Sequence, residues 1–273
     1  MAAARDDDRL VLRRDPGDAG RRRVIVSLHG SGFTAPNHEA MIDAAELSRR
    51  GALVLTPQAL IPFRYGDGFP AGFGWNVPGS PLPGEDAARK EPDDVGYVTR
   101  LLATIRRRHP TLPLHLLGYS GGARLASHVL ANDRTPTSAG LVAGAVFPPT
   151  GAPAVSPLLV IHGRRDDVNP YGHGDGARWP TGIQRTTESW AGAGAGARLQ
   201  ELEPGVVEQR FAPLAPSGAV VRLISLDDVG HTWPGTDDSR CLRQFGPAGT
   251  WSATRHLSTF FAGFDRPAHP TEE

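Results

Sequence analysis

The chain has 273 residues, 39% hydrophobic and 21% charged, a balance that suits a globular protein with a sizeable core and excludes a disordered or membrane-embedded chain. Its 29 basic and 29 acidic residues cancel, so nothing in the charge favours nucleic acid or an anionic membrane surface as a partner. The single cysteine, Cys241, excludes an intrachain disulfide and a cysteine-held zinc or iron–sulfur site, and the single lysine, Lys90, lies outside any P-loop pattern. No run approaches the length of a membrane span, and residues 1–9 lead into no apolar signal core. The expectation is a cytoplasmic, single-domain protein over 1–273, with its core at about 20–262 and short tails.

In chain order, residues 10–13 read as a weak edge strand and 23–28 as a stronger one, ending in His29-Gly30-Ser31-Gly32. A helix is expected over 37–50, from the spacing of Met41, Ala44, Ala45 and Leu47, and a buried strand over 52–55. Prolines and glycines interrupt 57–92, a stretch long enough to suggest a substrate-facing role. Asp93 reads as the N-cap of a helix to 109 with an apolar stripe at Val95, Val98, Leu101, Leu102 and Ile105. A strand over 114–119 runs almost without a loop into a helix over 121–131. Short apolar strands follow at 141–147 and 157–161, a helix at 181–191, a Gly/Ala-only flexible run at 192–197, a strand at 220–226 and a helix at 251–261, before a frayed tail. Strands alternating with helices predict an α/β fold with a mostly parallel central sheet and helices on both faces.

The chemistry centres on Gly118-Tyr119-Ser120-Gly121-Gly122, a G-x-S-x-G pattern between the predicted strand and helix. Such a turn presents a serine hydroxyl in a strained conformation that needs glycines close by. A serine nucleophile needs a base and an orienting acid, here expected downstream in the order acid, then histidine. His231 follows the last strand on a glycine-containing loop, whereas His256 falls in a helix, His269 in the tail and His162 ahead of the acid. Asp166, just past the strand at 157–161, is the preferred acid, with Asp167 as the competitor. The oxyanion hole is expected from the backbone N–H groups of Gly121 and Ser31. Gly30-Ser31-Gly32-Phe33-Thr34-Ala35 also fits a dinucleotide-binding G-x-G-x-x-A. The next strand, however, ends in Thr56-Pro57 without the carboxylate that such a site needs.

At these residues the sequence resembles the α/β-hydrolase superfamily, and within it the poly(3-hydroxybutyrate) depolymerase-like esterases, which include feruloyl and acetyl-xylan esterases. The matching blocks are Leu28-His29-Gly30-Ser31, Asp93-Asp94-Val95-Gly96, the Ser120 motif, His162-Gly163 through Asp166 with Pro170-Tyr171, Trp190-Ala191, and Gly230-His231-Thr232-Trp233-Pro234-Gly235. The resemblance implies Ser120 as nucleophile, Asp166 as acid and His231 as base. Secreted members usually carry a cysteine soon after the Trp190 position, where this chain has only Gly and Ala.

The expected activity is hydrolysis of carboxylic esters through an acyl-enzyme, on small or oligomeric substrates of hydroxyalkanoate or aromatic acyl type, with no metal or organic cofactor. A thioesterase or acyltransferase on the same triad is the alternative, and a non-catalytic binding protein of the same fold a weaker one. Trp75, Trp233 and Tyr119 are expected to line an open aromatic cleft beside Ser120, framed by 57–92 and 192–197.

Overall fold

The computed structural model describes residues 9–265 except 86–88, 177, 193 and 214–218. Strand β1 (Val11–Arg14) lies antiparallel to β3 (Ala52–Pro57), at one edge of a nine-stranded sheet. Next come β2 (Arg23–Leu28), β6 (Leu114–Tyr119), β7 (Ser138–Val142), β8 (Leu158–Gly163) and β11 (Val221–Leu226), so that β3, β2, β6, β7, β8 and β11 form a parallel centre. The sheet ends in the antiparallel strands β10 (Val206–Phe211) and β9 (Ala197–Glu203). Strands β2, β6, β7 and β8 are buried along their whole length. Their continuous apolar runs reflect cover on both faces, as a parallel sheet with crossover helices requires.

Two apolar layers provide that cover. On one face, α3 (Asp94–Arg108), α4 (Gly121–Asn132) and α5 (Ile183–Ala191) contribute Val98, Leu102, Leu125, Val129, Ile183 and Trp190. On the other, α1 (Ala35–Met41), α2 (Ala44–Arg49), α6 (Ser239–Phe245) and α7 (Ala253–Ala262) contribute Met41, Leu47, Phe245, Leu257 and Phe261. The α3 cap is as expected: Asp93 accepts from Gly96 N at 2.8 Å.

Some elements differ from the sequence expectation. The helix expected over 37–50 is two helices, because Asp43 turns left-handed (φ 47°) and its carboxylate accepts from Glu46 N at 3.0 Å, opening α2 instead of continuing α1. The strand expected over 141–147 is displaced to Ser138–Val142 and stops before Ala143, which has φ 53°. Within 57–92, β4 (Ile61–Phe63) and β5 (Gly72–Gly74) form a small separate hairpin. The β9–β10 hairpin and α6 are additions, and the run expected to be flexible ends where β9 begins. Of the expected tail, 266–273 lies outside the described residues.

Candidate active site

Four loops leave the C-terminal ends of β2, β6, β8 and β11 and meet where the strand order reverses around β2 and β6, the place where open parallel sheets form a crevice. Ser120 follows β6 with φ 51° and ψ −114°, a conformation that L-residues rarely adopt. It is pinned from both sides. Its N–H donates to Val142 O at 2.8 Å, and its carbonyl accepts from Arg124 N at 3.0 Å as α4 begins. The glycines around it are steric necessities. A Cβ on Gly118 would lie 2.6 Å from Ala123 Cα, and one on Gly122 would lie 2.3 Å from Leu28 O.

Ser120 Oγ lies 2.7 Å from His231 Nε2, and His231 Nδ1 lies 2.8 Å from Asp166 Oδ2. The other Asp166 oxygen accepts from Val168 N at 3.0 Å and Asn169 N at 2.7 Å. His162 Nε2 donates to Asn169 O at 2.8 Å and stands 3.2 Å from Asp166 Oδ2. Burial alone would raise the Asp166 carboxyl. The charges and hydrogen bonds of His231 and His162 outweigh it and hold the group well below the usual carboxylate range. An ionised Asp166 accepts from His231 Nδ1–H, which leaves Nε2 free to accept the Ser120 proton. Asp167 is exposed, and the neighbouring Arg164 and Arg165 pair instead with Asp227 (2.9 Å) and Asp228 (2.6 Å).

The loop after β2 brings Ser31 against Gly121: a Cβ on Gly121 would sit 3.3 Å from Ser31 N. Among the described residues, neither the Ser31 nor the Gly121 amide donates a hydrogen bond to the protein, so both remain open to an external acceptor. His29 anchors this loop. Its Nδ1 donates to Gly30 O at 2.8 Å, and its Nε2 accepts from Ala59 N at 3.0 Å, bonds that fix a neutral tautomer. Burial pushes its pKa down to about 4. Gly30 allows Tyr119 to pass beneath, because a Cβ there would meet the ring at 2.7 Å.

The aromatic cleft is where structure and expectation part. Trp75 and Trp233 are each 1% exposed and Tyr119 is 0% exposed; all three belong to the core. Each has a structural bond: Trp75 Nε1 donates to His29 O at 2.8 Å, Trp233 Nε1 to Thr254 Oγ1 at 2.9 Å, and Tyr119 Oη to His231 O at 2.7 Å. They brace the loops from behind. Trp233 does border a surface cavity of about 610 Å³, but its walls include Met41, Arg49, Thr236 and Arg255 and not Ser120. The Gly/Ala run lines a different cavity of about 400 Å³ with Phe147, Arg185 and Glu188.

Other side chains surround the serine and its histidine. Ser120 is 1% exposed and His231 is 0% exposed. Tyr65, in the turn of the β4–β5 hairpin, faces the Ser120 hydroxyl and packs edge-on against Phe245 at 5.4 Å; Phe245 in turn lies 5.2 Å from His231. Burial raises the Tyr65 hydroxyl above the usual phenol range, while Arg178 and Arg124 pull the other way. The sequence reading missed Tyr65, Phe245, Arg124 and Arg178. Only Arg124 left a usable sign: it is a charged residue one turn after Ser120, in a helix whose neighbouring positions are apolar. Among the described residues no cluster of side chains is arranged to hold a metal ion, and no helix is long and apolar enough to cross a membrane.

No family model matches the chain and no curated protein does. Solved structures do. Esterase PE8 is 17% identical and superposes with a TM-score of 0.56 over 93% of this chain and 98% of its own. Acetyl xylan esterase from Aspergillus awamori is 15% identical, with a TM-score of 0.57 over 82% and 89%. The fold is the α/β-hydrolase fold. Est1E from Butyrivibrio proteoclasticus, solved with ferulic acid, is 10% identical and shares the fold at a TM-score of 0.50 over 93% of this chain and 94% of its own. On this α/β-hydrolase fold, the loop after β6 carries Ser120 and the loops after β8 and β11 carry Asp166 and His231.

Proposed function

We propose that the protein is a serine hydrolase of carboxylic esters. What carries the reading is the hydrogen-bonded run from Ser120 through His231 to Asp166, ending at a serine held at positive φ. His231 Nε2 takes the Ser120 proton as Oγ attacks the ester carbonyl, and the Ser31 and Gly121 amides receive the negative charge that develops on oxygen. Asp166 keeps His231 in the required tautomer and stabilises its cationic form. His231 then protonates the departing alcohol, and water repeats the sequence on the acyl-enzyme. Because Ser120 and His231 are buried, the ester reaches them when the turn carrying Tyr65 moves aside. Small or oligomeric esters of hydroxyalkanoate or aromatic acyl type are the proposed substrates, processed within one domain and without a cofactor. The test is labelling with a fluorophosphonate, expected at Ser120 alone, together with Ser120→Ala, expected to lower kcat by about 10⁴-fold or more. Labelling at another serine, or an active Ser120→Ala protein, would overturn the reading.

A further inference from the structure

Two arginines near the candidate nucleophile, Arg124 buried and Arg178 half-buried, have no carboxylate within ion-pair distance. Arg124 is 0% exposed and lies one helical turn after Ser120. Its Nη1 donates to Ser80 Oγ at 2.5 Å and, more weakly, to Arg178 O at 3.4 Å, while its Nε and Nη2 are buried with no partner. Arg178 donates through Nη1 to Asn169 Oδ1 at 3.1 Å and to Val168 O at 3.3 Å, and its Nε and Nη2 are likewise buried and unpartnered. Among the described residues no ion pair engages either guanidinium, and Arg178 feels the Asp166 and Asp175 carboxylates only from beyond ion-pair distance.

The contrast with the other buried arginines is informative. Arg9 is paired with Asp94 at 2.6 Å, and Arg23 with Asp265. Removing a cation from water costs several kcal/mol unless an anion and hydrogen bonds compensate, so unpaired buried guanidinium N–H groups in a native fold point to a partner supplied from outside. Burial, with Arg178 close by, pushes Arg124 down to about 9, which leaves it charged at neutral pH.

The two side chains converge on the reaction site. Arg124 reaches the Arg178 carbonyl from the helix that begins right after Ser120, and both guanidiniums act electrostatically on the Tyr65 hydroxyl, which is buried with no hydrogen-bond partner. Arg178 is fastened to Asn169, whose own N–H holds Asp166, so the acid loop and the guanidinium are positioned together. Ser31 Oγ, next to the open amides, is a further buried hydroxyl without a partner.

We infer that the ester bound here carries a carboxylate, received by Arg124 and Arg178 beside Ser120. The inference rests on the hydrolase reading for the word ester, but the anion site stands on the arginines alone. Two planar guanidinium forks match the two oxygens of a carboxylate, and the Nε and Nη2 groups of both have no partner within the protein. A monoester of a dicarboxylic acid, or a short hydroxy-acid oligomer with a free acid end, has the required form.

The experiment compares kcat/KM for the monomethyl and dimethyl esters of succinic and glutaric acids, which differ in the free carboxylate. The proteins are the wild type, Arg178→Gln and Arg124→Met. Wild type is expected to favour the monoesters, and each arginine variant to lose at least about tenfold of that preference, mainly through KM, as expected for a lost charge-assisted hydrogen bond. Preference of the wild type for the dimethyl esters, or an unchanged preference in folded variants, overturns the inference. Calorimetric titration of glutarate into Ser120→Ala, with and without Arg178→Gln, reads the anion site without turnover. Binding weakened at least about tenfold by Arg178→Gln supports it, and no binding sinks it. Inorganic phosphate competing as well as glutarate would also overturn a carboxylate site. If glutarate binds through Arg178 but no ester is cleaved and no fluorophosphonate couples to Ser120, the hydrolase reading fails and the anion site stands. If esters are cleaved and Ser120 is labelled without any preference for charge, the reverse holds.

Discussion

Asp166 and Asp167 are neighbours in the chain and opposites in environment. One is buried and accepts from two backbone amides and His231; the other is exposed. Asp166→Asn is therefore expected to reduce kcat by about 10⁴-fold through loss of the His231 tautomer, and Asp167→Asn to leave it within a few-fold, as steady-state kinetics of the two proteins will read. The depressed Asp166 carboxyl also has a consequence for stability. A group whose folded pKa lies below its unfolded value of about 3.9 stabilises the fold fully above that value and loses this contribution as pH falls through the folded one. Urea unfolding between pH 5 and pH 2 should thus show a steeper loss in the wild type than in Asp166→Asn; equal slopes would mean that no depression exists. The order of Ser120, Asp166 and His231 could be read because each follows a recognisable strand, and strand ends are where a parallel sheet displays side chains. Tyr65 and Arg178 could not, and Arg124 showed only as a charge among apolar neighbours in its helix. Their interest lies in what surrounds them, and burial without a partner has no sequence signature.

Elements were legible in proportion to how strongly one face is buried. The β6–α4 junction has a fully buried strand, a glycine pair and a mostly buried helix, and its bounds in the structure match those expected within a residue. The β9–β10 hairpin escaped notice because β9 is solvent-exposed on both faces, so its residues alternate with no apolar period. The helix break at Asp43 escaped because side-chain capping competes with a periodic pattern that would otherwise have continued. The β6–α4 junction also yields a prediction that runs against helix propensity. Ala is favoured over Gly in a helix by about 1 kcal/mol, yet at Gly122 its Cβ would sit 2.3 Å from Leu28 O and 2.6 Å from His29 O. Gly122→Ala must push α4 away from β2. It is expected to destabilise by about 1–3 kcal/mol net, and to disturb the facing Ser31 and Gly121 amides enough to lower kcat. A thermal melt at or above the wild-type Tm would show that the helix accommodates the methyl group.

At the scale of the molecule, one sheet separates two apolar layers, and the tryptophans are divided between them. Trp75, Trp179 and Trp190 lie with α3, α4 and α5, and Trp233 and the partly buried Trp251 with α1, α2, α6 and α7. The sequence could show that Trp75 and Trp233 adjoin functional loops. It could not show on which side of those loops their rings lie, since a residue beside an active-site turn faces the cleft or the core according to how the sheet is covered. Here both rings back the site: Trp75 holds the carbonyl of His29 at the start of the loop after β2, and Trp233 ties the His231 loop to α7 through Thr254. Each should therefore matter first to the stability of the fold. Trp75→Ala and Trp233→Ala are each expected to destabilise by about 3–5 kcal/mol, through lost apolar contact and the cavity left behind. The ester KM of whatever fraction stays folded should shift less than in an Arg178 variant acting on a carboxylate-bearing ester. The measurement is chemical denaturation beside steady-state kinetics normalised to folded protein. A variant that keeps wild-type stability while its KM rises many-fold would return that tryptophan to the substrate side and reverse the assignment of the layers around the site.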